Sequence, residues 1–123
     1  MKKLLLLSIS LLTLSFVSNS FAHDLKGAIA SEDRTPKNVV RDIYRHPYET
    51  LDFFGIKQNM TVVELSPGGG WYTEILANYI HYPGTLIAAH FNPDAGGYYK
   101  RGRATFEKKM NSNPMYGRVE IVN

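Results

Sequence analysis

The sequence predicts an α/β domain built on a small parallel sheet. Two runs of β-branched and apolar residues, 60–65 and 85–89, lack the strict alternation of a half-exposed strand and read as strands buried on both faces. Amphipathic stretches of helical period separate them, and a third short apolar run, 119–122, follows the second such stretch. A glycine-rich loop, Ser66-Pro67-Gly68-Gly69-Gly70, joins the first strand directly to the helix after it. Strand, helix, strand, helix, strand at this spacing is the pattern of parallel strands with crossover helices.

Residues 1–22 carry Lys2 and Lys3, an apolar core from Leu4 to Val17, and small residues around Ser20-Phe21-Ala22. That is the layout of a cleaved secretory signal peptide, and the apolar core falls short of the roughly 20 residues that span a bilayer. Export into a periplasm or the medium follows from it, with no membrane attachment after cleavage. Residues 23–34 are polar without sustained period and are expected to form a flexible lead-in. Thr35-Pro36 is an N-cap with proline at the first helical position, and Val40, Ile43 and Tyr44 share one face of the helix it opens. Pro47 interrupts that helix and starts a second, with Tyr48, Leu51 and Phe54 at helical spacing and Gly55 as its stop. Two helices therefore precede the first strand.

Beyond the loop, Trp71, Ile75, Leu76, Tyr79 and Ile80 form one helical stripe, and Pro83-Gly84 turns the chain into the second strand, which ends at His90. Residues 91–97 form a loop, Tyr99, Phe106 and Met110 mark a third helical face, and Asn113-Pro114 breaks it. Residues 35–123 thus make one α/β unit.

The formal charge of +3 belongs largely to the leader: Lys2 and Lys3 lie in it and no acid does, so the remainder carries +1. No basic surplus argues for nucleic acid. The chain has no cysteine, which excludes disulfides, thiolate metal sites and a cysteine nucleophile.

The chemistry concentrates at the glycine loop. Open parallel sheets bind ligands at the carboxyl ends of their strands, and a helix N-terminus offers unpaired N–H groups with a partial positive charge. Gly68, Gly69 and Gly70 permit close approach to the backbone, and Glu64, at the strand end, is placed to accept from an ammonium or a hydroxyl. The dinucleotide spacing G-x-G-x-x-G fails, because Trp71 stands where its third glycine belongs. The pattern that matches is E-x-G-x-G-x-G with Ser66 at the first glycine.

The stretch VVELSPGGGWYTEIL resembles the first motif of the class I S-adenosylmethionine-dependent methyltransferases, and residues 34–123 as a whole resemble a family of exported bacterial methyltransferases. The resemblance implies a Rossmann-like sheet, S-adenosylmethionine as cofactor, and a small-molecule site formed by Glu64, Ser66, Gly68, Gly69 and Gly70 around its methionine moiety and ribose. His90 then stands where such enzymes place an acid that holds both ribose hydroxyls. An imidazole has one acceptor at most, so this is a departure, and Asp94 is the nearest substitute. Serine at the first glycine position is tolerable where the backbone there has negative φ. The implied fold has seven strands against three here. A first strand without its outer neighbour is an exposed apolar edge, so the chain is expected to be part of a longer protein, an unstable remnant, or a homodimer through that edge.

The methyl acceptor and any catalytic group are not specified by these residues. A non-catalytic exported protein using the same fold to bind a ligand or partner is the alternative. His46 and His81 lack partners at metal-ligand spacing, His23 falls in the lead-in, and Lys100-Arg101-Gly102-Arg103 beside Tyr98 and Tyr99 reads as a solvated helix start. Trp71 reads as a packing residue at the loop, and Ser66 lacks the elbow of a serine hydrolase.

Overall fold

A computed structural model describes residues 24–123; residues 1–23, with the expected signal peptide and His23, lie outside the described residues. The chain is an α/β unit with a three-stranded, wholly parallel sheet in the order β1-β2-β3: β1 is Thr61–Leu65, β2 Thr85–Ala89 and β3 Glu120–Val122. Val62 is level with Leu86 and Glu64 with Ala88, which is level in turn with Ile121. Helix α5 (Trp71–Tyr79) connects β1 to β2 and α6 (Gly97–Met110) connects β2 to β3. Their apolar residues, Ile75, Leu76, Phe106 and Met110, join Leu86 and Ala88 in one buried cluster, so both crossovers cover the same face of the sheet.

The stripe expected on α5 is present: Trp71, Ile75, Leu76 and Ile80 are buried. So are Thr73, Glu74, Ala77 and Asn78, because the amino-terminal helices wrap the side of α5 away from the sheet. On α6, Phe106 and Met110 are buried as expected, whereas Tyr99 stays exposed and packs its ring against Phe91 at 4.9 Å.

Four expectations are corrected. Residues 23–34 are not a flexible lead-in where described: helix α1 (Leu25–Ile29) is capped by Asp24, whose carboxylate accepts from the Gly27 amide at 2.6 Å, and it buries Leu25 and Ala28. The segment is pinned further by Arg34, whose buried guanidinium donates to Ile29 O at 2.6 Å and to both carboxylate oxygens of Asp42 at 2.6 and 2.8 Å. The helix opened by Thr35-Pro36 is two short pieces, α2 (Pro36–Val39) and α3 (Asp42–Arg45), and its apolar residues Val40, Ile43 and Tyr44 face solvent. Helix α4 (Pro47–Phe53) buries Leu51 but leaves Phe54 exposed. Finally, β1 is buried on one face only. Val62 packs under the helices, while Val63 is 51% and Leu65 78% exposed.

Breaking a buried ion pair by removing one partner costs about 3–5 kcal/mol, a large share of the roughly 5–15 kcal/mol that holds a domain together. Asp42→Ala is therefore expected to lower unfolding stability by about 3 kcal/mol in a denaturant titration. A change below about 0.5 kcal/mol, the size of an ordinary surface substitution, would show that the amino-terminal segment is not part of the folded unit.

Candidate functional site

The glycine loop lies at the carboxyl end of β1 and is built as a cradle. Ser66 donates its amide to Ala89 O at 2.9 Å, extending the ladder by one bond, and then leaves the strand with φ +54°. Gly68 (φ +58°) and Gly70 (φ +78°) complete the turn, which closes through the Gly70 amide on Pro67 O at 2.9 Å. Gly70 is also packed from behind: a Cβ there would sit 3.2 Å from the Phe106 ring.

Two side chains hold the loop's carbonyls on the protein side. His90 is buried, and its Nδ1 accepts the Phe91 amide at 2.7 Å, which leaves the proton on Nε2 to be donated to Gly68 O at 3.1 Å. Lys109, reaching from the last turn of α6, donates to Gly69 O at 2.8 Å. With the carbonyls engaged behind, the amides of Gly68 and Gly69 have no hydrogen-bond partner among the described residues. Both glycines line open space, since a Cβ on either would meet nothing within 4 Å.

Lys109 also pairs with Glu74, which is fully buried on α5 and accepts a hydrogen bond from the Thr35 hydroxyl. One ammonium group thus couples the loop, α5 and the start of α2. Glu64 lies on the ligand side of this network. Thr73 donates its hydroxyl to Glu64 Oε2 at 2.6 Å. Burial raises the Glu64 carboxyl above its usual range, opposed by the Thr73 donors and the charge of Lys109.

The loop divides a cleft into two halves. On the β1 side, a space of about 320 Å³ is lined by Glu64, Ser66, Gly68 and Gly69 and, across from them, by Asn38, Arg41 and Arg45. Asn38 is buried, and its Nδ2 has no hydrogen-bond partner among the described residues. On the β2 side, a space of about 340 Å³ is lined by Gly68, Gly69, His90, Phe91, Tyr98 and Arg101. An amino acid-sized zwitterion fits the charges of the first half, a carboxylate toward the two guanidinium groups and an ammonium toward Glu64.

Glu64, Ser66, Gly68 and Gly69 are thus brought together at one cleft, and Gly70 shapes the turn behind it. His90 reaches the cleft wall with both ring nitrogens already engaged inside the protein, so neither is offered to a ribose hydroxyl. Asp94 lies in an exposed turn and lines neither half. The negative φ that would make Ser66 comfortable is not found; it is left-handed, at a cost of roughly 1–2 kcal/mol for a residue with a Cβ. Trp71 packs as expected, donating Nε1–H to Asn38 O at 2.8 Å with Arg45 over its ring at 4.8 Å. Within the supposedly solvated basic run, Arg103 is buried, donating Nη1–H to Phe91 O and Val122 O at 3.1 and 3.2 Å.

Sequence reasoning missed Asn38, Arg41, Arg45, Glu74 and Lys109. The first three recur at helical spacing as a polar stripe, which was a usable signal; Lys109, beside Lys108 near the end of its helix, carried none.

Ser66→Gly relieves a strain of roughly 1–2 kcal/mol and adds backbone entropy to the unfolded chain of roughly 0.5–1 kcal/mol. The net expectation is a stabilisation of about 0.5–1 kcal/mol in chemical denaturation. Lys109→Met leaves the Glu74 carboxylate buried and unpaired, and is expected to destabilise by about 3 kcal/mol. The double variant Lys109→Met, Glu74→Leu should recover most of that loss. No recovery would remove the ion pair from the account of the loop.

A scan of protein-family models, of curated proteins and of solved structures finds no match to this chain.

Proposed function

We propose that the cleft binds S-adenosylmethionine and that the chain is the cofactor-binding half of an exported, Rossmann-like methyltransferase domain. The observation that carries the proposal is the pair of amides at Gly68 and Gly69, without a hydrogen-bond partner among the described residues, on glycines that line the open space between a cationic wall and the Glu64 carboxylate. In this reading Arg41, Arg45 and Asn38 hold the cofactor's carboxylate, Glu64 takes its ammonium, and the loop amides bind the middle of the molecule. Phe91 and Tyr98 offer aromatic surface to the base on the β2 side. When bound, the cofactor would supply an electrophilic methyl group to an acceptor nucleophile. The protein's share is positioning and exclusion of water.

The same cleft serves a second reading, a non-catalytic exported protein that binds a small zwitterionic ligand. His90 favours it. Where the resemblance places a ribose-binding acid, this chain has an imidazole used to brace the loop.

Titration calorimetry with S-adenosylmethionine and S-adenosylhomocysteine separates the two. Saturable binding is expected, and Gly68→Val, which puts a β-branched residue at φ +58°, should abolish it. Glu64→Gln should weaken binding by about tenfold, the 1.4 kcal/mol of one charge-assisted hydrogen bond. Absence of heat with both ligands, together with binding of a free amino acid, would replace the first reading by the second.

Glu64 gives a pH test of the site. Its carboxyl is raised in the folded state, so folding favours the protonated form, and stability is gained as pH falls through the folded value toward the unfolded one. Glu64→Gln keeps an acceptor for Thr73 without the buried charge. It is expected to unfold at a higher temperature than the parent at pH 7, with the gap closing toward pH 4. A gap that widens on acidification would reverse the assignment of burial as the dominant cause.

A further inference from the structure

We infer that Trp71 is the positioning residue of the cleft, holding Asn38 and Arg45 ready for a ligand carboxylate without consuming the side-chain donors of either. The inference rests on the cofactor reading and deepens it, because it traces the preference for the carboxylate end to one packed side chain.

Residues 35–45, which form the cationic wall, are fastened to the first turn of α5 at two points about one helical turn apart. The Thr35 hydroxyl donates to Glu74, and Asn38 O accepts the Trp71 indole N–H at 2.8 Å. Trp71 is 5% exposed and follows Gly70 directly, so the anchor of the wall is the chain neighbour of the residue that completes the loop's turn. Tyr72 packs edge-on against the indole at 4.6 Å and confines it further.

What Trp71 leaves unused matters most. Its N–H takes the main-chain oxygen of Asn38 and spares the side-chain amide, whose Nδ2 is buried at the cleft with no hydrogen-bond partner among the described residues. A buried donor without a partner carries a desolvation penalty that a ligand oxygen would remove. Arg45 is held in the same sparing way. Its guanidinium lies over the indole at 4.8 Å and has no hydrogen bond or ion pair among the described residues. Attraction of a cation to an aromatic face uses its charge and none of its five N–H donors. Guanidinium groups bind carboxylates through two parallel N–H bonds, so a cation held over a ring keeps the donors that a carboxylate needs. Packing accounts for the burial of Trp71. The indole N–H and the ring type that attracts cations best are what the wall requires.

Titration calorimetry of the parent and of Trp71→Phe, each with S-adenosylhomocysteine and with its decarboxylated analogue, tests the inference. In the parent, loss of the carboxylate is expected to weaken binding by about 30-fold, the size of one charge-assisted hydrogen bond. Trp71→Phe keeps an aromatic ring and removes the N–H. It should weaken S-adenosylhomocysteine by about tenfold and leave the analogue within about twofold, whereas a purely structural role would weaken both alike. Trp71 is the single tryptophan of the chain, so its indole N–H gives one magnetic resonance signal in the unmutated protein, which covers the case in which the variant fails to fold. That signal is expected to exchange slowly with solvent, to shift to saturation with S-adenosylhomocysteine and to stay in place with the analogue. Equal effects of Trp71→Phe on the two ligands, or an indole signal that both move alike or that bound S-adenosylhomocysteine leaves unmoved, would overturn the inference while the cofactor reading stands. Absence of heat with S-adenosylhomocysteine in the parent would remove the cofactor reading and this inference with it.

Discussion

A peptide group cannot present its amide and its carbonyl to the same side, and the candidate site depends on that constraint. The Gly70 amide takes Pro67 O and His90 takes Gly68 O, so the amides that share those peptide groups, Gly68 and Gly69, are turned the other way; Lys109, on Gly69 O, holds the peptide group whose amide closes the turn. The glycines make the path sterically available; the turn's own hydrogen bond and the two side chains fix which of its faces meets a ligand. His90 can act this way in one neutral tautomer only, because its other nitrogen is committed to the Phe91 amide. The strand that ends at His90 and the helix that carries Lys109 are both sequence-distant from the loop, so the loop's geometry is a product of the whole sheet.

That dependence explains an otherwise costly feature of the interior. A fully buried carboxylate such as Glu74 is tolerable only with a cation and hydrogen bonds around it, and Lys109 and Thr35 supply them. Replacing the pair with packed apolar residues would be no less stable in principle. It would release Gly69 O. The ion pair is better understood as fixing the position of the ammonium group against the loop than as a source of stability. The strained Ser66 belongs to the same economy: a left-handed residue at the exit of β1 is the sort of local cost that persists where surrounding structure requires one path.

What the sequence disclosed follows from the range of the forces involved. Strand and helix identities in β1, α5, β2 and α6 rest on local periodicity and on turn residues such as Pro83-Gly84, and these were legible. The carboxyl-end placement of Glu64, Ser66, Gly68 and Gly69 followed from strand and loop order alone. Legibility ended where long-range partners decide. Residues 25–29 looked like a polar tail, because the apolar surface that recruits Leu25 and Ala28 lies on distant helices. Val63 and Leu65 looked buried, because hydrophobicity reports a preference for burial and says nothing of whether a neighbour is there. His90 looked like a ligand residue from its position at a strand end, and only coordinates could show both of its nitrogens in use. Val40, Ile43 and Tyr44 share a helical spacing that the break between α2 and α3 disrupts.

The most direct test of the central claim is to follow the amide resonances of Gly68 and Gly69 by nuclear magnetic resonance during titration with S-adenosylhomocysteine. Outward-facing, unbonded amides at the ligand are predicted to move together to saturation, while those of Gly55 and Gly117, remote from the cleft, stay in place. Saturable binding that leaves Gly68 and Gly69 unmoved would contradict the account.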